Sequence, residues 1–184
     1  MKHIILLGDS VRLQYQPIVG EKLSDIAEVS GPEENGRWSG YTLNSLRFWL
    51  PCLPEPDLVQ WNCGLWDMGD DYGEGRHFYP PELYEETCHR ICRVLRRTTG
   101  KPDLPIVIAT TTPTLQSDHQ DIRLYNDILR KVAAEEKALV NDLYAIVAPA
   151  KEKMICEDHI HLTPEGVEAV AEQTASALRA ALAE

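Results

Sequence analysis

The stretch His3-Ile4-Ile5-Leu6-Leu7-Gly8-Asp9-Ser10 near the N-terminus decides the fold class of this chain. Residues 3–7 are typical of a short buried strand, and Gly8 ends that strand. Directly behind the polar turn, residues 11–21 are predicted to form a helix. A strand followed at once by a helix, if repeated along the chain, builds a parallel sheet against which the helices pack.

The same alternation continues through the rest of the chain. Further strands are predicted at residues 26–29, 58–61, 106–109 and 138–140, and a further early helix at residues 42–50. Apolar residues recur at helical spacing in the remaining gaps, and Thr163 with Pro164 predicts the start of the last helix. We therefore predict an α/β protein with a five-stranded parallel sheet covered on both faces, a three-layer α/β/α domain spanning residues 1–184.

Polar segments follow four of the predicted strands. In parallel sheets of this kind, functional groups gather just past the carboxyl ends of the strands. The segments at those positions are residues 8–10, 31–40, 62–70 and 110–114, which are among the most polar and glycine-rich parts of the chain. We therefore expect functional residues in these segments.

Composition argues against several classes of function. The chain has 184 residues, of which 43% are apolar and 26% charged, as in ordinary globular proteins. Its net charge of −11 argues against a nucleic-acid partner, which requires a basic surface. The apolar run at residues 3–7 is too short for a signal-peptide core or a membrane span, so we predict a cytoplasmic protein without a membrane partner.

The five cysteines favour neither a disulfide framework nor a structural metal site. Their number is odd, their spacing is irregular, and no Cys-x-x-Cys pair occurs. Cys88 and Cys92 lie four residues apart, so they share a helix face, and with His89 nearby a metal site is conceivable. We favour reduced thiols packed around that helix, and we predict no metal and no cofactor.

Two groups of polar residues, far apart in the chain, could carry chemistry. Ser10 lies at the start of a predicted helix, where developing negative charge is favoured, although taken alone it is better explained as a helix cap. Asp158 precedes His161 by three residues, a spacing that can bring the carboxylate onto Nδ1 and leave Nε2 free as a base. His159 competes with His161, which we favour because Asp158 cannot easily orient its immediate neighbour. Together these residues indicate a nucleophile, a base and an orienting group.

These residues lie in segments that resemble the sequence blocks of the SGNH (GDSL-like) hydrolase family. The first block is similar to Ile5-Leu6-Leu7-Gly8-Asp9-Ser10, and the last to Asp158-His159-Ile160-His161 followed by Leu-Thr-Pro-Glu-Gly. The second block is similar to Asn35-Gly36-Arg37-Trp38-Ser39-Gly40-Tyr41-Thr42. Thr110-Thr111-Thr112-Pro113 and Tyr125-Asn126 are also similar to the family, so the resemblance spans nearly the whole chain.

The resemblance implies a flavodoxin-like SGNH hydrolase fold with Ser10, Asp158 and His161 as the catalytic residues. It also implies an oxyanion hole, in which backbone N–H groups of Ser10 and Gly40 bind the negative charge of a tetrahedral intermediate. In this family the serine attacks the carbonyl carbon of an ester. The resemblance thus implies an ester hydrolase that needs no metal.

The third block departs from the family pattern Gly-x-Asn-Asp, whose asparagine side chain completes the oxyanion hole. In Gly64-Leu65-Trp66-Asp67, a tryptophan takes the place of that asparagine. Asn62 is the nearest amide and directly follows a predicted strand, so we expect Asn62 to supply the third donor. The alternatives are the indole N–H of Trp66, or an Asn62 that only bonds its own turn.

The residues and the resemblance together predict a serine esterase that works through an acyl-enzyme on a small-molecule substrate. We expect a short-chain, acetyl ester of a carbohydrate-like compound, with Trp38 and Trp66 beside it. A thioesterase or lysophospholipase of the same fold is the alternative enzyme. An inactive flavodoxin-like binding or interaction module is the alternative outside catalysis, and a homo-oligomer built on exposed aromatic residues stays open.

Overall fold

The computed structural model describes residues 1–70, 73–116 and 120–183. In this part of the chain, five parallel strands form one sheet in the order β2-β1-β3-β4-β5. The strands are β1 (Lys2–Leu7), β2 (Ala27–Ser30), β3 (Leu58–Trp61), β4 (Ile106–Ala109) and β5 (Leu139–Asn141). The α-helices are α1 (Ser10–Leu23), α2 (Ser39–Trp49), α3 (Pro81–Thr99), α4 (Gln120–Glu135), α5 (Leu143–Val147), α6 (Lys151–Met154) and α7 (Pro164–Ala181).

Helices cover both faces of the sheet, which confirms the predicted three-layer α/β/α architecture. Alternate residues of β1 point to opposite faces, since Ile5 and Leu7 pack with residues of α2, α3 and α4, whereas Ile4 and Leu6 pack with residues of α1 and α7. All four side chains are at most 1% exposed. Burying each one contributes about 1.5–3 kcal/mol to folding, so the first strand lies at the centre of the core.

Most of the predicted boundaries agree with the structure to within one residue. β3 and β4 match their predicted bounds, and the other strands differ by one residue at one or both ends. The last helix begins at Pro164, behind a Thr163 hydroxyl that accepts a backbone hydrogen bond at 3.2 Å, as predicted. α1 is longer than predicted by one residue at its start and two at its end.

The start of α2 was predicted wrongly. The helix begins at Ser39, whereas the sequence pattern placed its start at residue 42. The Ser39 N–H donates hydrogen bonds to both carboxylate oxygens of Asp67, at 3.0 and 3.1 Å. Asp67, from a loop distant in sequence, thus accepts the hydrogen bond of an N–H group that has no acceptor inside the helix. This contact lets α2 begin about one turn earlier than predicted.

The register between β1 and β3 brings the polar segments together at the carboxyl edge of the sheet. Leu7 pairs with Trp61, so Gly8 and Asn62 leave the sheet side by side. The Asn62 N–H donates to the Leu7 carbonyl at 3.1 Å, and the Gly36 N–H donates to the Gly8 carbonyl at 2.8 Å. Three of the segments expected to carry function therefore meet at one place.

Candidate active site

Ser10 is the first residue of α1, at the carboxyl end of β1. The residue before it caps the helix, because the Asp9 carboxylate accepts a hydrogen bond from the Val11 N–H at 3.0 Å. Asp9 is therefore the N-cap of α1, and the Ser10 hydroxyl is free to make other contacts. The N–H of Ser10 lies in the first helical turn, where such groups have no acceptor inside the helix and the helix dipole favours negative charge.

The structure brings Ser10, His161 and Asp158 together in one hydrogen-bonded series. His161 Nε2 lies 2.8 Å from Ser10 Oγ, although 151 positions separate the two residues. On the other side of the ring, Nδ1 lies 2.7 Å from Asp158 Oδ2. The carboxylate can only accept a hydrogen bond, which assigns the imidazole proton to Nδ1 and leaves Nε2 to accept the serine proton.

Asp158 is held by its own turn as well as by the imidazole. Its Oδ1 accepts hydrogen bonds from the N–H groups of Ile160 at 3.0 Å and His161 at 2.9 Å. These backbone bonds, that of Ile160 first, lower the pKa of Asp158 to about 2. The carboxylate is therefore charged at every pH at which the imidazole can act as a base.

His159 occupies a different position in the same turn. Its φ angle is 69°, in the left-handed region, which turns the chain so that Asp158 can face the ring of His161. The His159 carbonyl accepts a hydrogen bond from the Leu115 N–H at 2.9 Å, and its side chain is exposed. The imidazole that contacts Ser10 belongs to His161, the residue that the sequence favoured.

Gly40 is the second residue of α2 and follows Ser39, which is hydrogen-bonded to Asp67. The Ser39 hydroxyl donates to Asp67 Oδ1 at 2.5 Å, in addition to the two backbone bonds. Burial raises the pKa of Asp67 to about 6, and the bonds from Ser39 oppose that shift. A Cβ atom at position 40 would lie 2.2 Å from the Tyr79 hydroxyl, so any other residue there would have to displace the Tyr79 side chain. The Gly40 N–H lies in the first turn of α2, as the Ser10 N–H does in α1.

Asn62 lies directly beyond β3 and is 5% exposed. Its Oδ1 is buried without a hydrogen-bond partner. Burial raises the pKa of Asp9, and the neighbouring Asn62 amide opposes this shift, so the Asn62 amide group lies beside the Asp9 carboxylate. The amide thus lies against Gly8 and Asp9, the two residues that precede Ser10.

A cleft of about 280 Å³ opens in front of Ser10. In the described part of the chain its lining consists of Ser10, Leu65, Trp66, Gly69, Ile160 and His161. The side chains around the serine and histidine are apolar, and the Trp66 ring remains 42% exposed. Trp66, one of the two tryptophans expected near a substrate, therefore lines the same cleft as the Ser10 hydroxyl.

Trp38, the other tryptophan expected there, packs in an aromatic cluster. Its ring centroid lies 5.2 Å from those of Tyr41 and Phe78. Phe78 also lines a second cleft, of about 460 Å³, which shares Gly69 with the cleft in front of Ser10. Trp38 thus contacts a residue that lines the second cleft, and among the described residues it is not part of the lining of the cleft in front of Ser10.

Sequence reasoning missed two residues that hold the site together, Arg12 and Gln14. The Arg12 guanidinium is fully buried and donates hydrogen bonds to the carbonyls of Pro32 and Glu34, both at 2.8 Å. It thereby fastens the segment that leads into α2 onto α1. No local signal could have revealed this contact, because a charged residue in a surface helix normally faces water and its acceptors are distant in sequence.

Two further expectations concern a metal ion and a membrane. Within residues 1–70, 73–116 and 120–183, no group of three or more His, Cys, Asp or Glu side chains is arranged to hold a metal ion. Across those same residues, no helix has the length and apolarity needed to cross a membrane.

Known proteins resemble this chain in structure, whereas searches by sequence find no match. No protein-family model matches the chain, and no curated protein matches it. The lipase/acylhydrolase from Enterococcus faecalis superposes with a TM-score of 0.80 at 17% identity, over 98% of this chain and 96% of that one. A carbohydrate esterase family 3 protein from Talaromyces cellulolyticus gives 0.79 at 18% identity, over 99% and 98% of the two chains.

A third crystal structure has the same architecture. Axe2, an acetylxylan esterase from Geobacillus stearothermophilus, superposes with a TM-score of 0.77 at 17% identity, over 96% of this chain and 94% of that one. The similarity covers nearly the full length of all three proteins compared. The chain therefore has the fold of the GDSL/SGNH hydrolases.

Proposed function

We propose that this protein is a serine esterase that hydrolyses a carboxylic ester through an acyl-enzyme. The observation that carries the proposal is the series Asp158–His161–Ser10, with distances of 2.7 and 2.8 Å between the hydrogen-bonded atoms. A histidine held in this way can take the proton of the serine as its oxygen attacks. The similarity in fold to esterases and lipases supports the same chemistry.

The reaction follows from the geometry in two half-reactions. Ser10 Oγ attacks the carbonyl carbon of the ester while its proton passes to His161 Nε2. The tetrahedral intermediate then collapses, and the imidazolium gives that proton to the departing alcohol, which leaves an acyl-serine. A water molecule attacks the acyl group in the same way, with His161 again as the base, and releases the acid. Asp158 stabilises the imidazolium in both halves.

The negative charge of the intermediate needs hydrogen-bond donors that are already in place. The N–H groups of Ser10 and Gly40 are our candidates, because both lie in the first turn of a helix and both helices begin at this edge of the sheet. We assign the third donor to the side-chain NH₂ group of Asn62, which contacts the Asp9 carboxylate next to Ser10 and has a second N–H to donate. Each donor of this kind contributes about 3 kcal/mol to stabilising the transition state. The Trp66 indole N–H, on the wall of the cleft, is the alternative.

The size and lining of the cleft favour a small acyl group. A volume of about 280 Å³ with apolar walls from Leu65 and Ile160 suits an acetyl group better than a fatty acyl chain. The exposed face of Trp66 can stack on a sugar ring in the alcohol part of the ester. Similarity in structure to an acetylxylan esterase supports an acetylated carbohydrate as the substrate class.

One observation favours a second candidate function. The cleft of about 460 Å³ that shares Gly69 with the first could continue the binding site for a longer acyl chain. One of the similar structures is described as a lipase/acylhydrolase. A thioesterase or lysophospholipase activity is therefore the alternative that the substrate test has to separate.

The test is hydrolysis of p-nitrophenyl esters with acyl chains of two to twelve carbons, and of acetylated xylo-oligosaccharides, by wild type and Ser10→Ala. We expect the wild type to be fastest on the acetyl esters and Ser10→Ala to lose this activity. A rate that peaks at eight or more carbons would favour the alternative. Activity that is unchanged in Ser10→Ala would overturn the mechanism.

A further inference from the structure

Gln14 connects the helix that carries Ser10 to the segment that carries His161. Its Nε2 donates a hydrogen bond to the Leu162 carbonyl at 3.1 Å, and its Oε1 accepts one from the Leu162 N–H, also at 3.1 Å. A single amide thus satisfies both backbone groups of the residue that follows His161. The partners are 148 positions apart, so this pair of bonds is a tertiary contact.

The place of Gln14 in α1 suits this contact. It lies four residues after Ser10, one helical turn further on, so both side chains occupy the same face of the helix. Side chains of a helix lean towards its N-terminus, which here is the end that carries Ser10. The position of the Leu162 backbone is therefore fixed relative to the serine by one turn of one helix.

The same segment is also held from its other side. The His161 carbonyl accepts a hydrogen bond from the Cys156 N–H at 2.7 Å, and Leu162 pairs with Ile155 in an antiparallel bridge. Those contacts are internal to the C-terminal segment and shape its turn. The contact with Gln14 reaches across to α1, so it fixes where that turn lies relative to Ser10.

We propose that Gln14 is a positioning residue for the reaction at Ser10, a role that rests on the function proposed above. It holds the backbone next to His161 so that Nε2 reaches the serine hydroxyl. An amide suits this role because it offers a donor and an acceptor side by side and does not titrate, so the contact persists while His161 gains and loses its proton. A carboxylate at position 14 would accept from the Leu162 N–H but would repel the carbonyl.

The test compares Gln14→Met with Gln173→Met. Methionine has a similar length and flexibility but lacks the amide, so packing is kept while both bonds to Leu162 are lost. Gln173 in α7 is the matched control, because it is also a half-buried helical glutamine. Its side-chain amide donates a hydrogen bond to the Asn141 side chain in β5 at 3.1 Å. In Gln14→Met we expect kcat to fall by about 10–100-fold, with KM changed by less than about threefold, because small misplacements of a catalytic group cost rate. In Gln173→Met we expect neither value to change.

A second measurement does not depend on finding a substrate. The ring nitrogens of His161, assigned by their absence in His161→Ala, are followed by ¹⁵N NMR in wild type, Ser10→Ala and both glutamine variants. We expect the Nε2 resonance in Gln14→Met to move towards its position in Ser10→Ala, since the hydrogen bond to the serine is weakened. A role in stability alone would lower the unfolding temperature and leave this resonance in place.

The outcomes distinguish failure of the positioning role of Gln14 from failure of the proposed esterase function. An unchanged kcat with an unchanged Nε2 resonance in Gln14→Met would overturn the role of Gln14, and so would an equal loss of activity in Gln173→Met. A rise in KM at constant kcat would also overturn it, because it would indicate a contact with substrate. If wild type hydrolyses no ester, the proposed function fails, while the NMR comparison still decides whether Gln14 holds His161 against Ser10.

Discussion

The side-chain oxygen of Asn62 fills the space that a Cβ atom on Gly8 would need, at a distance of 2.0 Å from that position. This contact follows from the pairing of β1 with β3, which sends both residues out of the sheet side by side. Gly8 also has a φ angle of 156°, which side chains rarely permit. The glycine before Asp9-Ser10 is therefore required by its neighbour on β3 as well as by its own backbone.

Gly8→Ala should accordingly damage both the fold and the site. The new methyl group has to displace Asn62, and overpacking of this kind costs about 1–3 kcal/mol. We expect kcat/KM to fall by about tenfold or more, because the displaced amide contacts Asp9, the residue next to Ser10. Thermal unfolding and ester hydrolysis measure the two effects. Gly100→Ala is the control, since its φ is 68° with no atom within 4 Å of the new methyl, so it should cost stability without loss of activity.

The third oxyanion donor can be identified by removing one N–H at a time. Asn62→Ala should lower kcat by about 10²–10³-fold with little change in KM, as expected for a donor that acts only on the charged intermediate. Trp66→Phe keeps an aromatic wall in the cleft but removes the indole N–H, so kcat should stay within a few-fold of wild type. The reverse pattern would assign the donor to Trp66.

The sequence was sufficient to predict the sheet and the residues that meet at its edge. β3 and β4 were predicted with their observed bounds because each is a short, mainly apolar run that follows a proline-containing turn. The convergence of Ser10 with Asp158 and His161 follows from two rules, the gathering of functional groups at strand ends and the short spacing from aspartate to histidine. Both rules depend on local patterns, which a single sequence displays.

What the sequence could not reveal depends on partners that are distant in the chain. The start of α2 is set by Asp67, and the burial of Arg12 is set by the carbonyls of Pro32 and Glu34. The direction of the Trp38 ring is likewise set by Phe78. In each case the residues nearby in sequence are compatible with more than one arrangement, and a contact with a residue distant in sequence decides which one forms.

The series Asp158–His161–Ser10 predicts losses that do not add. Ser10→Ala and His161→Ala should each lower kcat by at least about 10³-fold, and the double variant should be only a few-fold worse, because the residues act as one unit. His159→Ala should stay within about threefold of wild type, since its exposed ring makes no contact with Ser10 among the described residues. Steady-state kinetics on p-nitrophenyl acetate measure all four variants. Equal damage from His159→Ala and His161→Ala would show that the base is assigned wrongly.

Asp67 should make stability depend on pH in a definite direction. Burial raises its pKa from 3.8 to about 6, so between these values the folded protein binds a proton that the unfolded chain has lost. The free energy of unfolding that this group contributes is therefore present below about pH 4 and is lost as the pH rises through about 6, by roughly 3 kcal/mol in total.

Urea unfolding of wild type and Asp67→Asn from pH 4 to pH 7.5 isolates this contribution. The difference in unfolding free energy, wild type minus variant, should fall as the pH rises and level off above about pH 7. The pKa of Asp9 is also raised by burial, but Asp9 is present in both proteins, so its own burial cancels in the difference. What remains is its repulsion of Asp67, which raises the pKa of Asp67 and so acts in the same direction as burial. A difference that is flat or that increases with pH would contradict the prediction.

Asp158→Asn tests the orienting group with almost no change in shape. The asparagine oxygen can still accept the hydrogen bonds from the N–H groups of Ile160 and His161, so the turn should keep its conformation. Its NH₂ group, however, faces the ring nitrogen Nδ1 and can only donate. The imidazole must then carry its proton on Nε2, where it can no longer accept the proton of Ser10.

We therefore expect kcat to fall by about 10³–10⁴-fold in Asp158→Asn while the unfolding temperature stays near that of wild type. Glu157→Gln removes the neighbouring exposed carboxylate and should leave kcat unchanged. Because the pKa of Asp158 is about 2, its carboxylate stays charged between pH 5 and 9, so protonation of Asp158 should not affect the rate of wild type in that range. If Asp158→Asn retained more than about a tenth of the activity, the carboxylate would be dispensable and another group would have to orient the imidazole.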